Sequence, residues 1–189
     1  MPARSTHHTI VALVEDKPGV LNRIASKWRQ RGFNIESLAV GHSEIPGLSR
    51  MTFTVDGAKH DVDQVTKQLF KVIEVVSITD ITSEEVVARE LALIRVAASV
   101  NNRTALFEIA QVFRANVVDV AQDSMVFEVT GNEDKIEALY ELLLPYGVME
   151  LMRTGRIAMK RGGSGLDVDD GHRRYRSAGE GKAQVGSLL

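Results

Sequence analysis

The chain has 189 residues, of which 44% are hydrophobic and 25% are charged, and this ordinary balance excludes a wholly disordered protein. A formal net charge of −2 gives no overall attraction to nucleic acid or to an anionic membrane surface. The absence of cysteine excludes disulfides, thiolate nucleophiles and cysteine-based zinc sites.

The N-terminal residues 1–9 are polar and lack the apolar core of a signal peptide. No later stretch has the run of apolar residues that a membrane-spanning helix needs. Because the chain also has no cysteine, these features predict a protein of the reducing cytoplasm.

The first predicted strand and helix follow one another closely. Residues 9–14 are a short apolar, β-branched run that is typical of a buried strand. Asp16 is the expected N-cap of the helix that follows, Pro18 is tolerated in its first turn, and Gly32 is its expected C-terminal stop. The helix has four apolar residues at helical spacing, all expected to face inward: Leu21, Ile24, Ala25 and Trp28.

Two strands, a helix and a last strand complete this unit. Residues 33–43 and 48–55 alternate as strands do, and the turn residues 45–47 between them predict a hairpin. A helix follows, and the strand 73–81 closes the order βαββαβ. The inward residues of that helix are Val62, Val65, Leu69 and Val72.

The same order of elements then repeats with little residue identity. After the polar residues 83–85, Asn101 or Asn102 is expected to cap one helix and Asn132 to open a second. The helices have inward sets at helical spacing, namely Leu106, Ile109, Ala110 and Phe113, then Ile136, Leu139, Tyr140 and Leu143. The predicted strands are 91–98, 117–121, 125–130 and 148–154.

Together these patterns predict an α+β protein of two consecutive ferredoxin-like βαββαβ units, residues 7–82 and 83–160. Residues 161–189 are glycine-rich with few large apolar side chains, and we expect a flexible tail. Because the first strand is apolar on both faces, the face away from the helices must also be covered. Either a second copy of the chain or the second unit would cover it.

No catalytic or metal site is predicted. His7 and His8 point to opposite faces of a strand, and His42, His60 and His172 have no partner at a metal-binding spacing. The glycine-rich motifs of the tail depart from the nucleophile-elbow and phosphate-loop patterns. A basic run in the tail could contact RNA or an acidic partner, but nearby aspartates favour a solvated segment.

The segment Asp16–Gly19 has the physical properties of a small-ligand site. It joins a strand to a helix N-terminus, where unpaired amides and the helix dipole favour a carboxylate. Gly19 permits close approach to the backbone, and Asp16 can pair with an ammonium group. The segment therefore suits a zwitterionic amino acid, although an N-cap and a turn residue explain these four residues at least as well.

Longer motifs are more specific than this loop. The first unit contains residues 8–21, the segment Arg31-Gly32-Phe33-Asn34-Ile35-Glu36-Ser37-Leu38 and residues 48–52; the second contains 89–96 and 113–120. With these motifs, both units but not the tail resemble the family of regulatory small subunits of acetolactate synthase, also called acetohydroxyacid synthase. The first unit resembles the ACT domain of that family.

This resemblance implies a protein without a catalytic site of its own. It implies that the chain binds the large, thiamine diphosphate-dependent subunit of acetolactate synthase, raises its activity and confers feedback inhibition, usually by valine. That enzyme acts in branched-chain amino-acid biosynthesis, including that of isoleucine. No cofactor is expected in this chain; thiamine diphosphate, magnesium and FAD are expected on the catalytic partner.

The resemblance also implies where an effector would bind. In the family the amino acid lies between two ACT domains at the interface of a homodimer. The corresponding effector-binding residues here are Asp16, Gly19, Val20, Leu21, Asn34 and Ile35.

The sequence also bears on two other classes of function. A free-standing ACT-type regulator, such as an amino-acid-responsive transcriptional modulator, would be favoured by a basic recognition helix, which neither pair of helices provides. A small enzyme on the ferredoxin-like fold would need a convergent histidine or carboxylate pair, which the sequence does not indicate.

Overall fold

The computed structural model describes residues 7–30, 32–57, 62–162, 174–176 and 184–185. The chain divides into two compact units: the first runs to Val87 and resumes at Ala158, and the second is Ala88–Ile157. Within the described residues, no helix is both long and apolar enough to cross a membrane.

The first unit has the predicted order βαββαβ. Its central strands are antiparallel in the order β4-β1-β3-β2, so β2 lies at one edge of the sheet. Its elements are β1 (His7–Glu15), α1 (Val20–Gln30), β2 (Ile35–His42), β3 (Leu48–Asp56), α2 (Val62–Phe70) and β4 (Val75–Asp80).

Two short strands from the C-terminal segment extend this sheet beyond β4. The strand Arg174–Arg176 pairs with β4 in parallel, and the strand Gln184–Val185 pairs with it in turn. The sequence did not predict these pairings, because three and two residues are too few to show a strand pattern. The other residues of the predicted flexible tail beyond Gly162 lie outside the described residues, as do the tail motifs, His60 and His172.

The core of this unit lies between the sheet and its two helices. Val20, Ile24 and Trp28 of α1 are buried against it, a spacing of i, i+4 and i+8. Leu21 is 42% exposed, so its predicted inward position is wrong. The buried face of the helix includes Val20, and Leu21 lies beside that face.

The start of α1 also differs from the prediction. The backbone N–H of Arg23 donates to the carbonyl of Gly19 at 3.0 Å, so Gly19 occupies the N-cap position and the predicted N-cap role of Asp16 is wrong. Pro18 precedes the helix rather than lying in its first turn, and Gly19 adopts φ +86°. At the other end, Gly32 has φ +74°, which confirms it as the stop.

Both faces of β1 are buried. Ile10, Ala12 and Val14 belong to the core on the helix side, while Val11 and Leu13 on the opposite face are 0% exposed. Leu13 pairs with Arg50 on β3, whose guanidinium donates to the carbonyl of Ala158 at 3.0 Å. The second face of this strand is therefore buried within the chain, while its covering by a second copy or by the second unit stays a prediction.

The second unit repeats the order, and a further strand, β9, follows it where the chain returns to the first unit. Its sheet has the order β6-β7-β5-β8, with β9 also pairing with β5. Asn132 caps α4 by accepting from Lys135 N–H at 3.3 Å, as predicted, whereas the Asn102 side chain makes no cap and accepts from Ser99 N–H at 2.7 Å. The elements are β5 (Val86–Ala97), α3 (Arg103–Phe113), β6 (Asn116–Val120), β7 (Ser124–Gly131), α4 (Glu133–Leu143), a 3-10 turn (Leu144–Tyr146), β8 (Val148–Arg153) and β9 (Ile157–Lys160).

A buried carboxylate in β5 makes the stability of this unit depend on pH. Burial raises the pKa of Glu90 above its ordinary value of 4.5, and the charge of Arg153, with Nε 3.5 Å from Glu90 Oε1, only partly offsets this. The folded chain therefore holds this proton more tightly than the unfolded chain. Glu90 consequently lowers stability as the pH rises through the window above 4.5.

We therefore expect Glu90→Gln to gain stability relative to the wild type as the pH rises from about 4 to 7.5. The amide cannot ionise, so the penalty for a buried charge disappears, and Arg153 keeps Glu137 at 2.7 Å as a partner. Urea unfolding of both proteins across this pH range measures the difference. A difference that stayed constant, or that reversed, would contradict this account of Glu90.

Candidate functional site

The loop Asp16–Gly19 joins β1 to α1, and backbone hydrogen bonds at its start hold it to two other connections of the fold. Glu15 N–H donates to the carbonyl of Glu74, just before β4, at 2.8 Å. Asp16 N–H donates to the carbonyl of Gly47, in the turn between β2 and β3, at 2.8 Å. Because these bonds tie the loop to two other connections, its backbone is held in place before any ligand arrives.

Gly19 leaves the approach to the helix N-terminus open. A Cβ at this position would meet no atom within 4 Å, yet its φ of +86° favours glycine. The first amides of α1 have no partner within the helix, as at any helix start. An anionic group can therefore approach these amides across Gly19 without a clash with this chain.

The charges of the loop leave Asp16 as its exposed anion. Lys17 Nζ lies 2.7 Å from Glu15 Oε2, and the hydrogen bond and charge of Glu15 raise the pKa of Lys17. The Asp16 side chain is 48% exposed, and its Oδ2 lies 3.3 Å from His42 Nδ1. Lys17 is thus paired within the loop, while the Asp16 carboxylate remains accessible to an ammonium group.

A buried carboxylate lies next to this loop. The Glu74 side chain is 9% exposed, and its Oε1 accepts from Nη1 of Arg23 in the first turns of α1. Its Oε2 is buried and has no hydrogen-bond partner among the described residues. The ion pair of Glu74 with Arg23 holds the start of α1 to the connection before β4. It therefore fixes the helix end at which the carboxylate of the predicted amino-acid ligand would bind.

The two predicted halves of the site are not together in one chain. Glu15 pairs with Leu48 at one end of β3, whereas Ile35 pairs with Val55 at the other. The seven residue steps from Leu48 to Val55 span about 23 Å at the usual rise of about 3.3 Å per residue. Asn34, which precedes Ile35, therefore lies at the opposite end of the sheet from Asp16.

The residues predicted to bind the effector also differ in how exposed their side chains are. Val20 is 4% exposed and belongs to the core, whereas Leu21 is 42% exposed. Asn34 is exposed, and Ile35 is half-buried against the core. Leu21 and Asn34 thus present free side chains, one at each end of the sheet.

The sequence did not point to His42, Gly47 or Glu74 as neighbours of the loop. Strand pairing brings these residues and connections to the loop: His42 pairs with Ser49 on β3, Ser49 pairs with Val14 of β1, and Val75, which follows Glu74, also pairs with Val14. No local spacing in the sequence reports such a contact.

The described histidines each contact one carboxylate. His7 lies 3.2 Å from Glu36, and His8 lies 2.7 Å from Asp80. Throughout the described part of the chain, no three histidine, aspartate or glutamate side chains are placed to hold a metal ion together.

Comparison with protein families gives one match for each unit. Residues 10–77 match the model described as the AHAS small subunit-like ACT domain. Residues 89–162 match the model described as the small subunit of acetolactate synthase. The two matches follow one another along the chain, as the two predicted units do.

Individual relatives agree with these matches. The acetolactate synthase small subunit of Bacillus subtilis is 51% identical over 154 residues, covering 81% of this chain and 90% of the relative. That of Mycobacterium bovis is 47% identical over 159 residues, covering 84% and 95%. The crystal structure of the Thermotoga maritima small subunit is 39% identical with a TM-score of 0.76, covering 84% of this chain and 99% of that one.

Proposed function

We propose that this chain, which belongs to the family of acetolactate synthase small subunits, regulates the condensation of two pyruvate molecules to 2-acetolactate. It binds the catalytic large subunit, raises its activity and makes it sensitive to feedback inhibition by valine. This reaction is the first common step of branched-chain amino-acid biosynthesis. Thiamine diphosphate, magnesium and FAD belong to the large subunit, and the complex works in the cytoplasm.

The observation that carries the effector proposal is the separation of Asp16 from Asn34. Residues about 23 Å apart along a sheet cannot contact one small amino acid. The strand β2 forms an edge of its sheet. If two copies pair their β2 edges antiparallel, the start of one strand lies beside the end of the other, and the partner's Asn34 reaches the Asp16 loop.

The chemistry of the completed pocket suits a branched-chain amino acid. Its carboxylate lies on the first amides of α1 across Gly19, and its ammonium group pairs with Asp16. The exposed Leu21 side chain and the partner's Ile35 then supply apolar surface for the effector side chain. Asn34 of the partner subunit provides a further hydrogen bond to the charged groups.

A ligand held by two chains can act as a switch. Binding valine favours whichever arrangement of the two ACT domains closes the pocket, and the catalytic subunit senses that arrangement. Coupling requires only that valine bind one arrangement better than the other, and about 1–3 kcal/mol is typical.

Reconstitution with the cognate catalytic subunit tests this function. Adding the purified chain should raise the rate of acetolactate formation, and valine should then lower it. Valine should have no such effect on the catalytic subunit alone. An unchanged rate on adding this chain would overturn the proposal, and valine binding without any effect on that subunit would point to a free-standing ACT-type regulator.

A further inference from the structure

A histidine at the end of β2 contacts the carboxylate of the candidate site. His42 is the last residue of β2, and its Nδ1 lies 3.3 Å from Oδ2 of Asp16. The His42 side chain is 87% exposed, so the contact lies at the mouth of the loop and not in the core. It involves the same carboxylate that the proposed function assigns to the ammonium group of the effector.

We propose that His42 is an affinity-determining residue of the effector site, because its imidazole competes with the ammonium group of the bound amino acid for Asp16. This inference rests on the proposed function. When His42 carries a proton, it pairs with Asp16 and repels the ammonium group. When His42 is neutral, the carboxylate is free to accept the ligand.

The other charged groups around Asp16 are already paired. Within the loop, Lys17 lies 2.7 Å from Glu15. Before β4, Glu74 pairs with Arg23 of α1. At the turn between β2 and β3, the charged groups are Glu44 and Arg50, which attract each other.

Histidine is the side-chain type in this group that changes its charge between about pH 5 and 8. The other two described histidines lie away from the loop, because His7 pairs with Asp56 and His8 with Val55 at the far end of β1. Within one chain, His42 is therefore the described histidine that faces Asp16.

The expected effect is modest, because the pair is exposed to water. In water, before screening by salt, two unit charges at this distance interact by an amount equivalent to about an eightfold change in a dissociation constant. We expect the dissociation constant of valine to rise about two- to fivefold between pH 8 and pH 5.5.

Three proteins isolate the role of His42 in titration calorimetry with valine at both pH values. His42→Gln is permanently neutral and should bind valine with the same affinity at pH 8 and pH 5.5. His42→Lys is permanently charged and should bind weakly at both.

The outcomes separate this inference from the proposed function. If His42→Gln kept the pH dependence of the wild type, or if the wild type bound valine more tightly at pH 5.5, the role of His42 would be refuted while the site stood. Valine binding by the wild type that did not vary with pH would have the same meaning. If no protein bound valine at either pH, the effector site itself would fail, and this inference with it.

Discussion

Replacing Gly19 by aspartate should abolish feedback inhibition by valine and leave activation of the catalytic subunit intact. The new carboxylate would stand in the open space through which the effector carboxylate approaches the amides of α1. Like charges at this range in a partly screened site interact by about 1–4 kcal/mol, which corresponds to roughly a five- to thousandfold loss of affinity. The inhibition constant for valine in the reconstituted enzyme measures the effect.

Two further variants separate charge from backbone strain. Gly19→Asn has almost the same size as aspartate and tolerates positive φ, so it should retain more valine sensitivity than Gly19→Asp. Gly162→Asp places the same charge at another glycine with positive φ, +59°, where a Cβ also meets no atom within 4 Å. This variant should respond to valine like the wild type. Full valine sensitivity in Gly19→Asp would show that the effector binds elsewhere.

Replacing Trp28 by alanine should cost the chain about 3–5 kcal/mol of unfolding free energy. Trp28 is 1% exposed, and its ring centroid lies 5.5 Å from that of Phe33 and 5.6 Å from that of Phe53. Because whole domains are stable by only about 5–15 kcal/mol, much of the stability of the first unit would be lost. Urea unfolding followed by far-UV circular dichroism measures the change.

The conservative variant Trp28→Phe gives the matched comparison. It keeps an aromatic ring in the cluster, and no described residue accepts a hydrogen bond from the indole Nε1, so no acceptor is left unsatisfied. Its loss of stability should be clearly smaller than that of Trp28→Ala. Equal losses would mean that the indole is not packed as the structure places it.

Periodicity in the sequence predicted the elements of both units because their apolar sets are regular. All eight strands and four helices of the two βαββαβ units are present in the predicted order. The first residue of α1 could not be predicted from periodicity. Asp16 has the side chain of an N-cap whether or not the helix begins next to it. The helix begins at Val20, because Pro18 and the positive φ of Gly19 belong to the loop.

Non-local pairing was the part of the fold that the sequence could not show. The strand β9 has only four residues, and it forms because β5 extends back to Val86 and offers it an edge. The start of β5 is half-exposed and directly follows the polar residues 83–85, so the sequence pattern did not extend the strand back to Val86. Short strands of this kind depend on a partner that lies far away in the chain.

The motifs predicted which residues belong to the candidate site but not how they are arranged. The loop Asp16–Gly19 and Asn34 were found from sequence, yet only the strand register shows that one chain holds them at opposite ends of its sheet. The contact of His42 with Asp16 also depends on that register. A site assembled across strands leaves no spacing signal in the sequence.

The central claim of this account is that each effector pocket takes the Asp16 loop from one chain and Asn34 from another. Mixing two defective chains tests it directly. The first chain carries Gly19→Asp, and the second carries Asn34→Ala, which should weaken binding about ten- to hundredfold by removing a hydrogen bond to a charged group. Each variant alone should bind little valine.

Valine binding to an equimolar mixture of the two chains, after native mass spectrometry has confirmed subunit exchange, is the deciding measurement. A mixed dimer has one pocket with both defects and one with neither. Random pairing should therefore restore roughly a quarter of the wild-type number of valine sites, at wild-type affinity. If the mixture bound no more valine than the separate variants, the pocket would not be shared between two chains, and the account would be wrong.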